Sequence, residues 1–140
     1  WAVYRYDIQE IERTLGEKYG KESVATYYGD TKDSIRQSIV DRFMDADDPL
    51  RFFVGNPKTG GYGLTLTSSH TVVYYSNDYS LEVRLQSEDR AHRIGQTSKV
   101  TYVDLMADHT IDEKIVKALN AKIDLASQVM GEDPKKILFG

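Results

Sequence analysis

Apolar residues recur along this chain with two periods, and the switches between them mark its elements. Ile8, Ile11 and Leu15 fall at helical spacing, and Asp7 with Glu10 three residues on has the form of a capping box at that helix's start. Trp1-Ala2-Val3-Tyr4, ahead of it, reads as a strand end, and Gly20 suits the helix exit. Val24 to Tyr28 is β-branched and aromatic, a strand closed by Gly29. Ile35, Ile39 and Phe43 stand one turn apart and predict a helix from near Thr31, ended by Asp47-Asp48-Pro49. Leu50 to Val54 is a short continuous apolar run, the pattern of a buried strand. Gly55 to Gly63 is glycine-rich loop, and Thr71 to Tyr75 is another strand. Leu81 to Arg93 has a helical pattern with Gly95 as its stop, and Val100 to Met106 alternates as a strand. Thr110 and Glu113 make a second capping box. A long helix then runs through Ile111, Ile115, Leu119, Ala126 and Val129 to Gly131, followed by a short tail, Lys135 to Phe139.

The order β-α-β-α-β-loop-β-α-β-α predicts an α/β domain: a mostly parallel sheet with helices on both faces. Ligands bind such sheets at the carboxyl ends of the strands. The loops at 29–31, 55–63, 76–80 and 104–110 follow strands and are expected to line that edge.

Composition narrows the classes. A chain of 140 residues, 40% hydrophobic and 29% charged, is one domain's worth and can build a core. Cysteine is absent, which removes disulfides, thiolate nucleophiles and Cys-ligated zinc. No apolar run approaches the ~20 residues of a membrane span. The chain opens on Trp1 without Met, in what reads as the second half of a strand, and so looks like a piece of something longer. The net charge of −4 counts against a small basic nucleic-acid module. The acidity is local, however. Residues 1–50 carry seven basic and eleven acidic side chains, whereas 51–107 carry six and five.

Two segments carry chemistry. Gly55-Asn56-Pro57-Lys58-Thr59-Gly60-Gly61-Tyr62-Gly63 frees the backbone for close approach to a ligand, and Lys58 with Thr59 suits a phosphate. It is not a Walker A loop, since Gly61-Tyr62 stands where Lys-Ser/Thr is required. Alone, it is most simply a tight turn. In Gln86-Ser87-Glu88-Asp89-Arg90-Ala91-His92-Arg93-Ile94-Gly95-Gln96, the spacing of Gln86, Arg90 and Arg93 puts an amide and two guanidiniums on one helical face. Paired arginines call for an anion between them, although Glu88 and Asp89 could serve. His70 and His109 lack partners at metal spacing, and His92 is assigned no catalysis.

The 86–96 segment closely resembles motif VI of the Swi/Snf-type helicase-like ATPases of helicase superfamily two. Lys58 to Thr67 is similar to that family's motif V, and Trp1 to Ile8 resembles motif IV with its following helix. Tyr28-Gly29-Asp30-Thr31 through Arg36 and Phe43 resembles its Gly-x-Thr…Arg…Phe block, and Thr110 to Val129 the helix after motif VI. The likeness covers nearly the whole chain in order. Two departures stand out. Asn77-Asp78-Tyr79-Ser80 replaces an Asp-Trp-Asn-Pro-like stretch, and neither a Walker A loop nor an Asp-Glu-x-His box is present.

The resemblance implies a single RecA-like three-layer domain, the helicase C-terminal lobe over 1–140, truncated at its N-terminus, with the 110–140 helix and tail packing on or extending from it. ATP and Mg2+ would be held by a first lobe missing from the chain. Arg93 would be the main arginine finger and Arg90 its partner. Gln86, Gly61 and Gly63 would serve the nucleotide. One strand of double-stranded DNA would be gripped by its backbone through Arg5, Thr31, Lys58, Thr59 and Gly60, with Tyr79 as the remaining aromatic. The implied whole is a DNA translocase whose lobe, isolated, is inactive and monomeric. No metal site and no membrane contact are expected of the lobe. The compartment is cytoplasmic in a bacterial or viral setting, or nuclear in a eukaryote. A stand-alone α/β interaction module and an RNA helicase lobe are the alternatives.

Overall fold

The computed structural model describes residues 1–59 and 64–134. The elements are α1 (Arg5–Tyr19), a 3-10 turn (Lys21–Ser23), β1 (Val24–Tyr27), α2 (Asp33–Met44), β2 (Phe52–Gly55), β3 (Thr71–Tyr74), α3 (Leu81–Asp89), β4 (Thr101–Asp104) and α4 (Ile111–Met130). Their order is the expected one, and both ladders are parallel. In one, Val24 to Tyr27 pairs with Phe52 to Gly55. In the other, Thr71 to Tyr74 pairs with Thr101 to Asp104.

Trp1 to Val3 joins the two ladders. The Trp1 amine donates to Val73 O (2.5 Å) and Trp1 O accepts from Tyr75 N (2.8 Å), a parallel pattern, while Ala2 N donates to Gly55 O (3.0 Å). The expected strand end is therefore a short bridge between β2 and β3, too brief for a strand of its own. Behind it, Phe52, Phe53, Val72 and Val73 line an apolar cavity of about 350 Å³.

Alternation along the strands sorts the core into faces. Val24 and Val54 pack with Ile8, Ile11 and Leu15 of α1. Ala25, Tyr27 and Phe53 pack with Ile39, Val40 and Phe43 of α2. Helices thus cover both faces of β1–β2. Over β3–β4, among the described residues, Val72 and Tyr74 are buried, but Val73 is 41% exposed and Val103 37%, and no described helix covers that face.

Helix ends differ from the sequence pattern. α1 starts at Arg5 behind Tyr4, with no side-chain cap, and Asp7 sits inside its first turn. The expected Asp7–Glu10 box does not form, because the helix begins two residues before Asp7; Glu10 instead pairs with Arg13 at 3.0 Å. Gly20 ends the helix at φ +97°, as its sequence position suggested. α2 is preceded by Lys32 rather than Thr31. α3 stops at Asp89, four residues short of Arg93, with Ser80 as a true cap accepting from Val83 N. Thr110 caps α4 by accepting from Asp112 N, and Glu113 reaches back to His109 N rather than Thr110. The first half of α4 packs through Ile115 and Leu119, whereas Leu125, Val129 and Met130 are exposed. Residues 135–139, the expected tail, lie outside the described residues.

Candidate functional site: two cationic centres at the strand ends

The loop after β1 is tied from within. Thr31 Oγ1 donates to Thr26 O (3.1 Å) and accepts from Tyr28 N (3.0 Å), and Arg36 Nε donates to Thr31 O (3.0 Å). Thr31 is 9% exposed, so its hydroxyl serves the loop's own geometry. Arg5 is the first residue of α1 and forms an ion pair with Asp30.

The loop after β2 begins with Asn56. Its side chain accepts from Lys58 N (2.9 Å) and donates to Val3 O (3.0 Å). Lys58 Nζ pairs with Asp78 of the loop after β3 at 2.7 Å. Thr59 N donates to Asn56 O (3.0 Å). Tyr79 is 45% exposed beside them, and its carbonyl accepts from Lys122 of α4 (2.5 Å). Thus Lys58, through Asp78, and Tyr79 beside Asp78 lie at the carboxyl ends of the strands. Gly60, Gly61 and Gly63 lie outside the described residues.

The two arginines separate. Because α3 ends at Asp89, Gln86, Arg90 and Arg93 do not share a helical face, as their spacing had suggested. The Gln86 amide donates to Glu82 (3.0 Å). Arg90 turns inward, 7% exposed, donating to Thr59 O (3.0 Å) and Pro57 O (3.2 Å), its guanidinium 5.1 Å from the Trp1 ring. Burial lowers its pKa from the ordinary arginine value. Arg93 turns outward. Its side chain is 35% exposed, with Nε at 3.5 Å from Asp89. It lines a hollow of about 560 Å³ with His92, Gln96, Lys99 and Tyr102. Among the described residues, no three His, Cys, Asp or Glu side chains gather as a metal site.

The sequence pattern missed the groups that hold this geometry. Arg84 Nε donates to Glu88 (2.8 Å), and its Nη1 donates to Asn77 (2.9 Å) and Asp104 (2.5 Å). The same guanidinium lies 3.6 Å from the Tyr74 ring centroid. Burial would raise the Asp104 carboxyl, but hydrogen bonds from Arg84 and Asn77 outweigh it and hold the carboxyl below its usual value. Tyr74 OH meets Ser87 Oγ at 2.7 Å in the interior, and burial pushes the phenol pKa up. One signal was available: Arg84 and Glu88 stand at i, i+4, the spacing of a helical ion pair, beside Leu81 and Leu85.

Comparison with known proteins follows this arrangement. Residues 2–95 match the helicase conserved C-terminal domain, well over half of the chain. The chain is 38% identical over 111 residues to the ATP-dependent helicase fft2 of Schizosaccharomyces pombe, covering 78% of this chain and 9% of that protein. It is 36% identical over 104 residues to the helicase SWR1 of Saccharomyces cerevisiae, covering 74% and 7%. It is 35% identical over 102 residues to snf22, a SWI/SNF chromatin-remodeling complex subunit of S. pombe, covering 73% and 6%. The chain therefore spans about a tenth or less of these relatives. The crystal structure of the C-terminal part of the Fun30 ATPase domain superposes with a TM-score of 0.75 at 26% identity, over 84% of this chain and 37% of that one. These relatives are fungal, and a bacterial or viral setting gains no support from them. With its parallel RecA-like fold and its separate arginine and glycine-loop segments, this chain belongs to the helicase conserved C-terminal domain family, among the Swi/Snf-type helicases.

Proposed function

We propose that this chain is the second lobe of an ATP-dependent, double-stranded DNA translocase, completed by a first lobe that holds ATP and Mg2+. The observation that carries this reading is Arg93. It stands half-exposed in an open hollow beside Lys99, held only loosely by Asp89 at 3.5 Å. A guanidinium so placed can leave a weak partner for phosphate oxygens presented across a cleft, neutralising charge that develops as the γ-phosphoryl group transfers. The cationic donors of this hollow, Arg93 and Lys99, suit phosphate, with Asp133 also on its lining. Gln86, Gly61 and Gly63 are proposed to complete the nucleotide side.

On the other edge, Lys58, Thr59, Arg5 and Tyr79 are proposed to meet one DNA strand, with Gly60 added from the sequence motif alone and Thr31 shaping the loop that carries Asp30 rather than touching phosphate through its hydroxyl. Backbone contacts of this kind position without reading sequence. Lys58 and Arg5 already have carboxylate partners in Asp78 and Asp30. A phosphate must displace those carboxylates, which makes the grip weak and releasable, as stepping requires. Assembly as a chromatin remodeller, and a nuclear location, follow from the relatives as proposals for the whole protein.

The test is Arg93→Ala in the intact protein. DNA-stimulated ATP turnover is expected to fall by about 10³ or more, with ATP binding retained. Unchanged turnover overturns the assignment.

A further inference from the structure

The loop after β3, residues 76–80, is held by several parts of the chain at once. Ser76 Oγ accepts from Val3 N (2.8 Å). Asn77 bonds Arg84 of α3 and Asp104 of β4, both at 2.9 Å. The Asp78 carboxylate accepts from Ser80 N (2.9 Å) and pairs with Lys58 (2.7 Å), while Ser80 caps α3. Tyr79 is 45% exposed, and its carbonyl accepts from Lys122 Nζ of α4 at 2.5 Å.

Lys122 reaches this loop because packing fixes the rotation of α4. Ile115 and Leu119 are buried, and α4 packs on α3. Lys122 follows Leu119 by three residues, so it lies at the border of that buried stripe. Among the described residues, no carboxylate lies within 4.0 Å of its ammonium, whose partner is the Tyr79 carbonyl. The other cations of the proposed DNA edge differ. Lys58 pairs with Asp78 and Arg5 with Asp30, so each pair is neutral as a unit. A phosphate gains little from a neutral pair until the carboxylate moves away. A carbonyl is only a dipole and leaves Lys122 its full unit charge.

We propose that Lys122 is a further DNA-binding residue: its ammonium contacts a backbone phosphate of the strand that meets Tyr79, and supplies the net positive charge that the Lys58–Asp78 and Arg5–Asp30 pairs do not. This rests on the proposed DNA edge and extends it to α4. A lysine on a phosphate reads no base, so the contact adds affinity without sequence preference.

The test is the salt dependence of duplex binding by the intact protein, read as fluorescence anisotropy of a labelled DNA. Each phosphate neutralised contributes about 0.9 to the slope of log K against log salt. Lys122→Gln is expected to reduce the slope by about 0.9, which makes binding about eightfold weaker at 0.1 M salt with the two proteins converging at 1 M. Lys122→Arg is expected to keep the original slope. Lys117→Gln removes the same charge from an exposed position on the far side of α4 and is expected to leave the slope unchanged. A Lys122→Gln slope equal to that of the unsubstituted protein, as a merely structural role would give, overturns the proposal. A Lys117→Gln loss as large as that of Lys122→Gln also overturns it, since the effect is then bulk charge. Unsubstituted protein that binds no duplex DNA overturns the proposed function, and this inference with it.

Discussion

Arg84→Met removes the guanidinium that locks α3 to β4 while keeping most of the side-chain volume. The wild-type arginine side chain is 10% exposed and Glu88 8%. Three acceptors are served at once: Glu88 at 2.8 Å, Asn77 at 2.9 Å and Asp104 at 2.5 Å. Removing one partner of a buried pair costs about 3–5 kcal/mol, because the remaining charge keeps its desolvation penalty. Asp104 is 24% exposed and can recover some hydration, so the lower end, about 3 kcal/mol, is expected. Against a typical domain stability of about 5–15 kcal/mol, this is a large share. Urea unfolding followed by the fluorescence of the single tryptophan, Trp1, measures it. Adding Glu88→Gln to Arg84→Met should recover part of the loss, because the second change removes the stranded charge. A cost for Arg84→Met below about 1 kcal/mol, the size of an exposed pair, would refute the reasoning.

Three further outcomes follow from the same structure. Asp104 has a lowered folded-state pKa, so its contribution to stability is present above the ordinary carboxylate pKa of about 4 and is lost as pH falls through the folded value; stability measured against pH should show less acid loss in Asp104→Asn. A Cβ at Gly55 would meet Trp1 Cζ3 at 2.7 Å and Tyr27 O at 2.9 Å, so Gly55→Ala should cost about 1–3 kcal/mol in thermal or urea unfolding, since the strand carbonyl cannot yield. The chain alone should hydrolyse no ATP and should bind DNA weakly, with affinity falling steeply as salt rises; tight binding at physiological salt would place its positive surface elsewhere.

Much of the fold was legible because its signals are local. Gly20 and Gly131 end helices at positive φ, and Ile115 and Leu119 lie on one buried stripe of α4. The apolar runs at 24–28 and 50–54 marked β1 and β2, which pair in parallel with both faces covered. The capping box at Asp7 failed because the helix starts earlier, at Arg5, where Tyr4 N-caps it without a side-chain bond, and a local pattern does not fix that start. The exposure of Val73 and Val103 was also illegible, because alternation shows which residues share a face but not whether a helix covers it.

The sequence by itself determined the element order, the parallel α/β class and the family, since each rests on residue types in series. Tertiary structure decided where the two arginines lie. Gln86, Arg90 and Arg93 have helical spacing, yet α3 stops at Asp89. Arg90 and Gln96 instead find main-chain acceptors at Pro57, Thr59, Thr67 and Ser69, some thirty residues earlier in the chain. No local periodicity encodes those partners. Burying Arg90 is tolerable only where distant carbonyls satisfy it, so packing sends one arginine inward to hold a loop and leaves the other facing open space.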